Sequence, residues 1–247
     1  MNKTCQSLLA LLGHSADAFL AYLLKHRIYK AYWLFRSNTG IRKSLYNLKK
    51  AHRRALAALV YDCASLYIAK ERPTLLEIGC GWGPNLHMIL SLSQSKSVSI
   101  CCKGIDLSQK SIAMGNRILR RRYEYPPKLE CGNIVKLMHK KDSYHADVVL
   151  ADASLMYLPE SDIHQVLASE CIQNSAIIII CELCYTRSSK LDESLISHGN
   201  LHDYESILPI HGFTICASLS GNYWMNETWD KFGKILVFRN QEKSCRQ

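Results

Sequence analysis

Residues 75–83 read Leu75-Leu76-Glu77-Ile78-Gly79-Cys80-Gly81-Trp82-Gly83: an apolar run that runs into three alternating glycines. The run has the length and composition of a buried strand. A glycine-dense turn directly after such a strand lets a ligand approach the backbone, because no Cβ intervenes. Residues 84–92 (PNLHMILSL) read as a helix with Pro84 in its first turn, where a missing N–H costs little. Strand, glycine turn and helix N-terminus together make a nucleotide-type cofactor site. The order is E-x-G-x-G-x-G, which differs from the G-x-G-x-x-G of a dinucleotide site and lacks the Gly-Lys-Ser/Thr ending of a triphosphate loop.

The segments that follow repeat the alternation of strand and helix. Residues 98–106 (VSICCKGID) read as a second strand ending at Asp106, whose carboxylate suits a ribose diol. Residues 108–122 read as a helix capped by Ser108. Residues 128–133 (KLECGN) read as a third strand and turn. Residues 146–152 and 176–182 read as fourth and fifth strands, nearly continuous in apolar residues as parallel sheets require. Strands six and seven are expected at 213–219 and 234–239.

The glycine pattern resembles motif I of the class I S-adenosylmethionine-dependent methyltransferases, and Gly104-Ile105-Asp106-Leu107-Ser108 looks like their second motif. The resemblance covers residues 73–240. It implies an α/β fold: a doubly wound, mostly parallel, seven-stranded Rossmann-like sheet whose last strand is antiparallel, with an N-terminal helical extension. It implies S-adenosylmethionine as cofactor, held by Glu77, Gly79, Cys80, Gly81, Gly83, Asp106, Leu107 and Asp152. Asn133, beside Ile134, takes the position that reads the adenine edge. It also implies that residues 1–72 form a helical lid, and that residues 241–247 are a tail.

The net charge of +10 is uneven: residues 1–72 carry 13 Lys/Arg against 3 Asp/Glu, and residues 73–247 carry 18 of each. Helices are expected over 15–35 and 41–70, with Lys43, Lys49, Lys50, Arg53 and Arg54 clustered between the apolar positions. The basic face reads either as solvated surface or as a dock for an acidic partner: a phosphate-bearing small molecule, a nucleic acid, an acidic carrier protein or an anionic membrane surface. Tyr22, Tyr29, Tyr32, Trp33 and Tyr46 interleave with those charges and read first as core. No uncharged run of about 18 apolar residues is present, so no transmembrane helix is expected. The apolar stretch Leu8–Leu12 is too short for a signal peptide. Eleven cysteines, several within strands, point to a reducing cytoplasm. Cys181 and Cys184 form a lone C-x-x-C without the second pair that a zinc site wants.

Acceptor chemistry is expected from the turns after strands four and five. Asp152 opens the run DASLMYLP, and the N/D-P-P-Y/F box of amine-methylating nucleic-acid enzymes is absent. Strand five ends at Glu182, and Gln173-Asn174-Ser175 stands where the family usually has a Gly-Gly turn. His198, His202 and Tyr204 lie in HGNLHDY; either histidine suits proton removal from a hydroxyl, and Tyr204 suits acceptor orientation. With Asp152, these are the candidate catalytic residues. Trp224 and Trp229 read as pocket wall or sheet-edge packing. The leading expectation is methyl transfer to an O or N atom of a small metabolite, phosphate-bearing and carrier-bound acceptors included. The alternatives are an RNA or protein methyltransferase recruited by the basic helices, and an inactive cofactor-binding scaffold.

Overall fold

The computed structural model describes residues 51–96, 98–138, 144–184, 200–220 and 232–244. Helix α1 (Ala51–Tyr67) precedes strand β1 (Thr74–Ile78), α2 (Pro84–Gln94), β2 (Cys101–Asp106), α3 (Gln109–Arg120), β3 (Lys128–Cys131) and α4 (Ile134–Met138). The second half runs β4 (Val148–Asp152), a 3-10 turn (Leu155–Tyr157), α5 (Glu160–Leu167), α6 (Glu170–Gln173) and β5 (Ile177–Leu183). It ends with α7 (Tyr204–Ile210), β6 (Phe213–Ser220), β7 (Gly233–Asn240) and α8 (Gln241–Ser244).

The seven strands form one sheet in the order β3-β2-β1-β4-β5-β7-β6. The first five pair in parallel, while β7 runs antiparallel to both β5 and β6. The fold is thus the expected doubly wound one. Chain order reverses between β1 and β4, so a crevice opens beyond their C-terminal ends, where ligands bind in such sheets.

Alternate residues of each strand feed two cores, one on each face of the sheet. Leu75, Leu150, Ile177 and Ile179 pack against Leu56 and Val60 of α1 and Leu86 and Ile89 of α2. Leu76, Val149, Ile178 and Ile180 face Leu137 of α4, Ile163 of α5 and Leu208 of α7. All seven residues of β5 are buried, which is why its sequence reads as an unbroken apolar run. Helix α1 is therefore an integral layer of the sheet domain. Its basic neighbours Lys43, Lys49 and Lys50 fall outside the described residues, as do the lid reading of residues 1–50, His198, Trp224 and Trp229.

Element boundaries shift for local reasons. Strand β2 begins at Cys101 because its ladder partner, Thr74, is the first residue of β1. Upstream, the Val98 N–H donates to the Tyr61 hydroxyl (3.0 Å) and the Ile100 N–H to Ser93 Oγ (3.2 Å), so side chains satisfy that backbone. Ser108 caps α3 as expected, its Oγ accepting the Ser111 N–H at 3.2 Å. Strand β3 stops at Cys131, and Asn133 caps α4, its Oδ1 accepting the N–H groups of Val135 (2.9 Å) and Lys136 (3.3 Å).

Candidate functional site

The three glycines after β1 all adopt positive φ, at 72°, 56° and 84° for Gly79, Gly81 and Gly83. Each serves a different end. A Cβ on Gly79 would lie 2.3 Å from Ser154 Cβ, so Gly79 lets the β1 turn touch the β4 turn. A Cβ on Gly83 would lie 2.9 Å from Leu119 Cδ1, so Gly83 seats α2 near α3. A Cβ on Gly81 would meet nothing within 4 Å. That open space belongs to a cleft of about 650 Å³, its open mouth included, within the ~300–1,000 Å³ of small-molecule sites. Its walls are apolar at Ile105, Leu107, Ile134 and Leu158, with Tyr157 and the Asp106 carboxylate among them.

Asp106 is held in place from two sides. The Gly81 N–H donates to Oδ2 at 2.8 Å and the Ser108 N–H to Oδ1 at 2.7 Å. A carboxylate offers about four acceptor sites, so two remain for hydroxyl donors. Burial holds its acid strength down, and the two N–H donors pull the other way.

Strand ends bring a group of carboxylates to the same edge of the sheet. Glu77 and Asp152 both accept from Asn85 Nδ2, each at 2.8 Å. The second oxygen of Glu77 is buried and has no hydrogen-bond partner. Burial pushes the Glu77 carboxyl up to about 8. Arg53 of α1 reaches into this group, its Nη1 donating to Asn85 Oδ1 at 3.4 Å, and its buried Nε has no partner.

Glu182, fully buried at the end of β5, organises the opposite wall. Its Oε1 accepts the N–H groups of Ser154 (2.6 Å) and Leu155 (2.8 Å), and its Oε2 accepts the Met156 N–H at 3.4 Å. Burial drives its pKa up to about 8 against those donors. The turn it holds includes Ala153, the one non-glycine residue at positive φ (50°) among the described residues, and Ala153 lines the cleft.

Of the residues expected from sequence, Gly79, Gly81, Asp106, Leu107 and Ile134 line the cleft, and Glu77 and Asp152 meet at Asn85 beside it. Cys80 points away: its buried thiol would lie 2.6 Å from a Cβ on Gly104, and burial raises its pKa. Asn133 spends its amide oxygen on the start of α4. His202 is buried, its Nε2 donating to the Leu158 carbonyl at 3.0 Å, and burial lowers its pKa. Tyr204 is fully buried in the core and packs edge-on against His202, 5.6 Å between centroids. Neither lines the cleft, because Asp203 caps α7 and turns its first residue inward. Cys181 and Cys184 are buried thiols, and Cys184 bridges to His202.

Sequence reasoning missed Arg53, Asn85 and Glu182 as members of this site. Position at a strand end was the available signal for Glu182. Asn85, one residue inside a helix start, carried a weaker one, and Arg53 carried none beyond its charge.

Comparison with known proteins places the fold. No family model matches the chain, and no curated protein sequence matches it. Among solved structures, the magnesium protoporphyrin IX methyltransferase of Synechocystis PCC 6803, with bound SAH, aligns with a TM-score of 0.60 at 13% identity. That alignment covers 86% of this chain and 100% of the other. The geranyl diphosphate C-methyltransferase of Streptomyces coelicolor A3(2) aligns at 0.55 and 15% identity over 76% of this chain and 80% of its own. The cyclase SpnF aligns at 0.55 and 18% identity, over the same 76% and 80%. The chain has the class I S-adenosylmethionine-dependent methyltransferase fold. At these identities the likeness is one of fold.

Proposed function

We propose that the chain transfers a methyl group from S-adenosylmethionine to an O or N atom of a small molecule. The observation that carries this reading is Gly81. Its left-handed backbone aims a missing Cβ at open space in the cleft, while its N–H orients Asp106 at the same wall. A side chain there would fill the cradle that an adenosyl group needs. The remaining acceptor sites of Asp106 suit the two ribose hydroxyls. The apolar walls at Ile105, Leu107 and Ile134 suit the faces of a purine. The unpartnered oxygen of Glu77 suits an ammonium. Two of the compared structures are themselves methyltransferases, which supports the reading without supplying an acceptor.

S-adenosylmethionine, when bound, supplies an electrophilic methyl carbon on a cationic sulfur. The work left to the chain is alignment of that carbon with an acceptor atom, and such positioning accounts for much of the rate. Glu77, Asp106 and Asp152 give the cleft a negative character that complements the cation. The turn held by Glu182 presents Ala153, Ser154 and Tyr157 toward the acceptor side. His198, outside the described residues, remains the proposed base; His202 and Tyr204 support the wall from behind.

Calorimetric titration with S-adenosylmethionine and S-adenosylhomocysteine tests this. Micromolar binding to both is expected, with loss in Gly81→Val and an unchanged fold by circular dichroism. Binding in Gly81→Val equal to wild type removes the site assignment. A second reading, methylation of RNA or protein, draws on the charge excess in residues 1–72. Product formation from labelled methyl donor separates both readings from an inactive scaffold. It also separates them from a different reaction on the same fold, as the likeness to a cyclase allows.

A further inference from the structure

Two buried polar atoms near the cleft lack a hydrogen-bond partner, and they have opposite character: Glu77 Oε2 accepts and Arg53 Nε donates. Both side chains are tied to one amide, Asn85, which donates to Glu77 Oε1 at 2.8 Å and accepts from Arg53 Nη1 at 3.4 Å. Leaving such groups unpaired costs about 1–3 kcal/mol each, more when they are charged. The pair is therefore complementary to a small zwitterion, ammonium toward Glu77 and carboxylate toward Arg53. Asn85 sits in the first turn of α2, an 11-residue helix whose N-terminus carries the positive end of its dipole. The two other carboxylates of the cluster, Asp106 and Asp152, would repel an anion, so a carboxylate needs this cation.

We propose that Arg53 anchors the carboxylate of the cofactor's amino-acid end, with Asn85 as the positioning residue that holds Arg53 and Glu77 apart. The proposal rests on the cofactor reading above and extends the binding site to α1, a helix that precedes the glycine motif and lies on one face of the sheet. It makes α1 both a core layer and a ligand contact. Cofactor occupancy is then linked to the segment that leads into Arg53.

The test compares ligands that differ only in this end. S-adenosylhomocysteine carries the full amino-acid tail, and 5′-methylthioadenosine lacks it. Arg53→Met is expected to weaken S-adenosylhomocysteine about 10- to 100-fold, as loss of a charge-assisted hydrogen bond does, while 5′-methylthioadenosine binding stays within about twofold. Arg53→Lys recovers part of the loss, because the charge returns without the fork. Equal weakening of both ligands, or of neither, overturns the assignment. A wild-type measurement keeps the proposal testable should Arg53→Met not fold. Decarboxylated S-adenosylmethionine should bind about 10- to 100-fold more weakly than S-adenosylmethionine, and equal affinities overturn the proposal. Wild type that binds neither S-adenosylhomocysteine nor 5′-methylthioadenosine overturns the cofactor reading, and this inference with it. Binding of both that ignores Arg53 overturns this inference alone.

Discussion

Gly79, Gly81 and Gly83 share a backbone region and differ in what a methyl group would meet. At Gly79 a Cβ would collide with Ser154 at 2.3 Å, in addition to the strain of positive φ. Gly79→Ala is expected to cost about 2–5 kcal/mol in urea denaturation, while Gly81→Ala costs about 1–2 kcal/mol, the backbone strain alone. Equal costs at the two positions would remove the distinction between a packing glycine and a ligand glycine. Glu77 adds a pH dependence. Burial raises its pKa from 4.5 to about 8, so the folded state keeps a proton that the unfolded chain releases in between. Its contribution to stability is complete below pH 4.5 and is lost as pH rises through 8. Glu77→Gln cannot ionise. Melting curves from about pH 5 to about pH 9 should show wild type losing ground to the variant as pH rises, by a few kcal/mol at most. Parallel curves would mean that Glu77 is charged throughout. Asp106 was legible because a strand end and a following Ser cap mark it locally. The partnership of Asn85 with Glu77 and Asp152 was not, since 67 residues separate Asn85 from Asp152.

At the scale of elements, the sheet edge is built from turns that hold one another. The 3-10 turn Leu155–Tyr157 has no side-chain cap of its own. Glu182 of the neighbouring strand β5 does that work, accepting three successive backbone N–H groups. Glu182→Ala leaves those donors buried and unpaired, with an expected loss of about 2–4 kcal/mol. Hydrogen exchange at Ser154, Leu155 and Met156 should quicken at least about tenfold relative to the strand amides of β4. Unchanged exchange there would mean that the turn stands without Glu182. Strand periods were readable because β4 and β5 are buried on both faces and show it as continuous apolar sequence. Their starts were less so. Val98 and Ile100 look like strand residues, yet they lie beyond the first residue of β1 and bond to Tyr61 and Ser93 instead.

Across the whole molecule, residues 73–247 are balanced at 18 charges of each sign, and the excess of +10 precedes them. If a nucleic acid is the acceptor, the full chain should bind single-stranded RNA with an affinity that falls steeply with salt, since each neutralised phosphate releases counterions. A filter-binding series over about 50–200 mM salt checks this. Flat, weak binding leaves the small-molecule reading in place. No described helix is long and apolar enough to cross a membrane. The cleft lies at the reversal of strand order between β1 and β4, so its position follows from topology before any side chain is considered.

By itself the sequence determined the alternation of strands and helices, the glycine turn and the acid at the end of β2. These rest on interactions within a few residues: period, turn chemistry and capping. Tertiary structure alone decided which polar groups meet. It placed α1 as a core layer, sent His202 and Tyr204 inward, gave Asn133 a capping task and joined Arg53, Asn85, Glu77 and Asp152 across three elements and a loop end. Such contacts depend on where the crossovers set each strand end. Local sequence carries no signal for that, because the same residue types would be equally content in solvent.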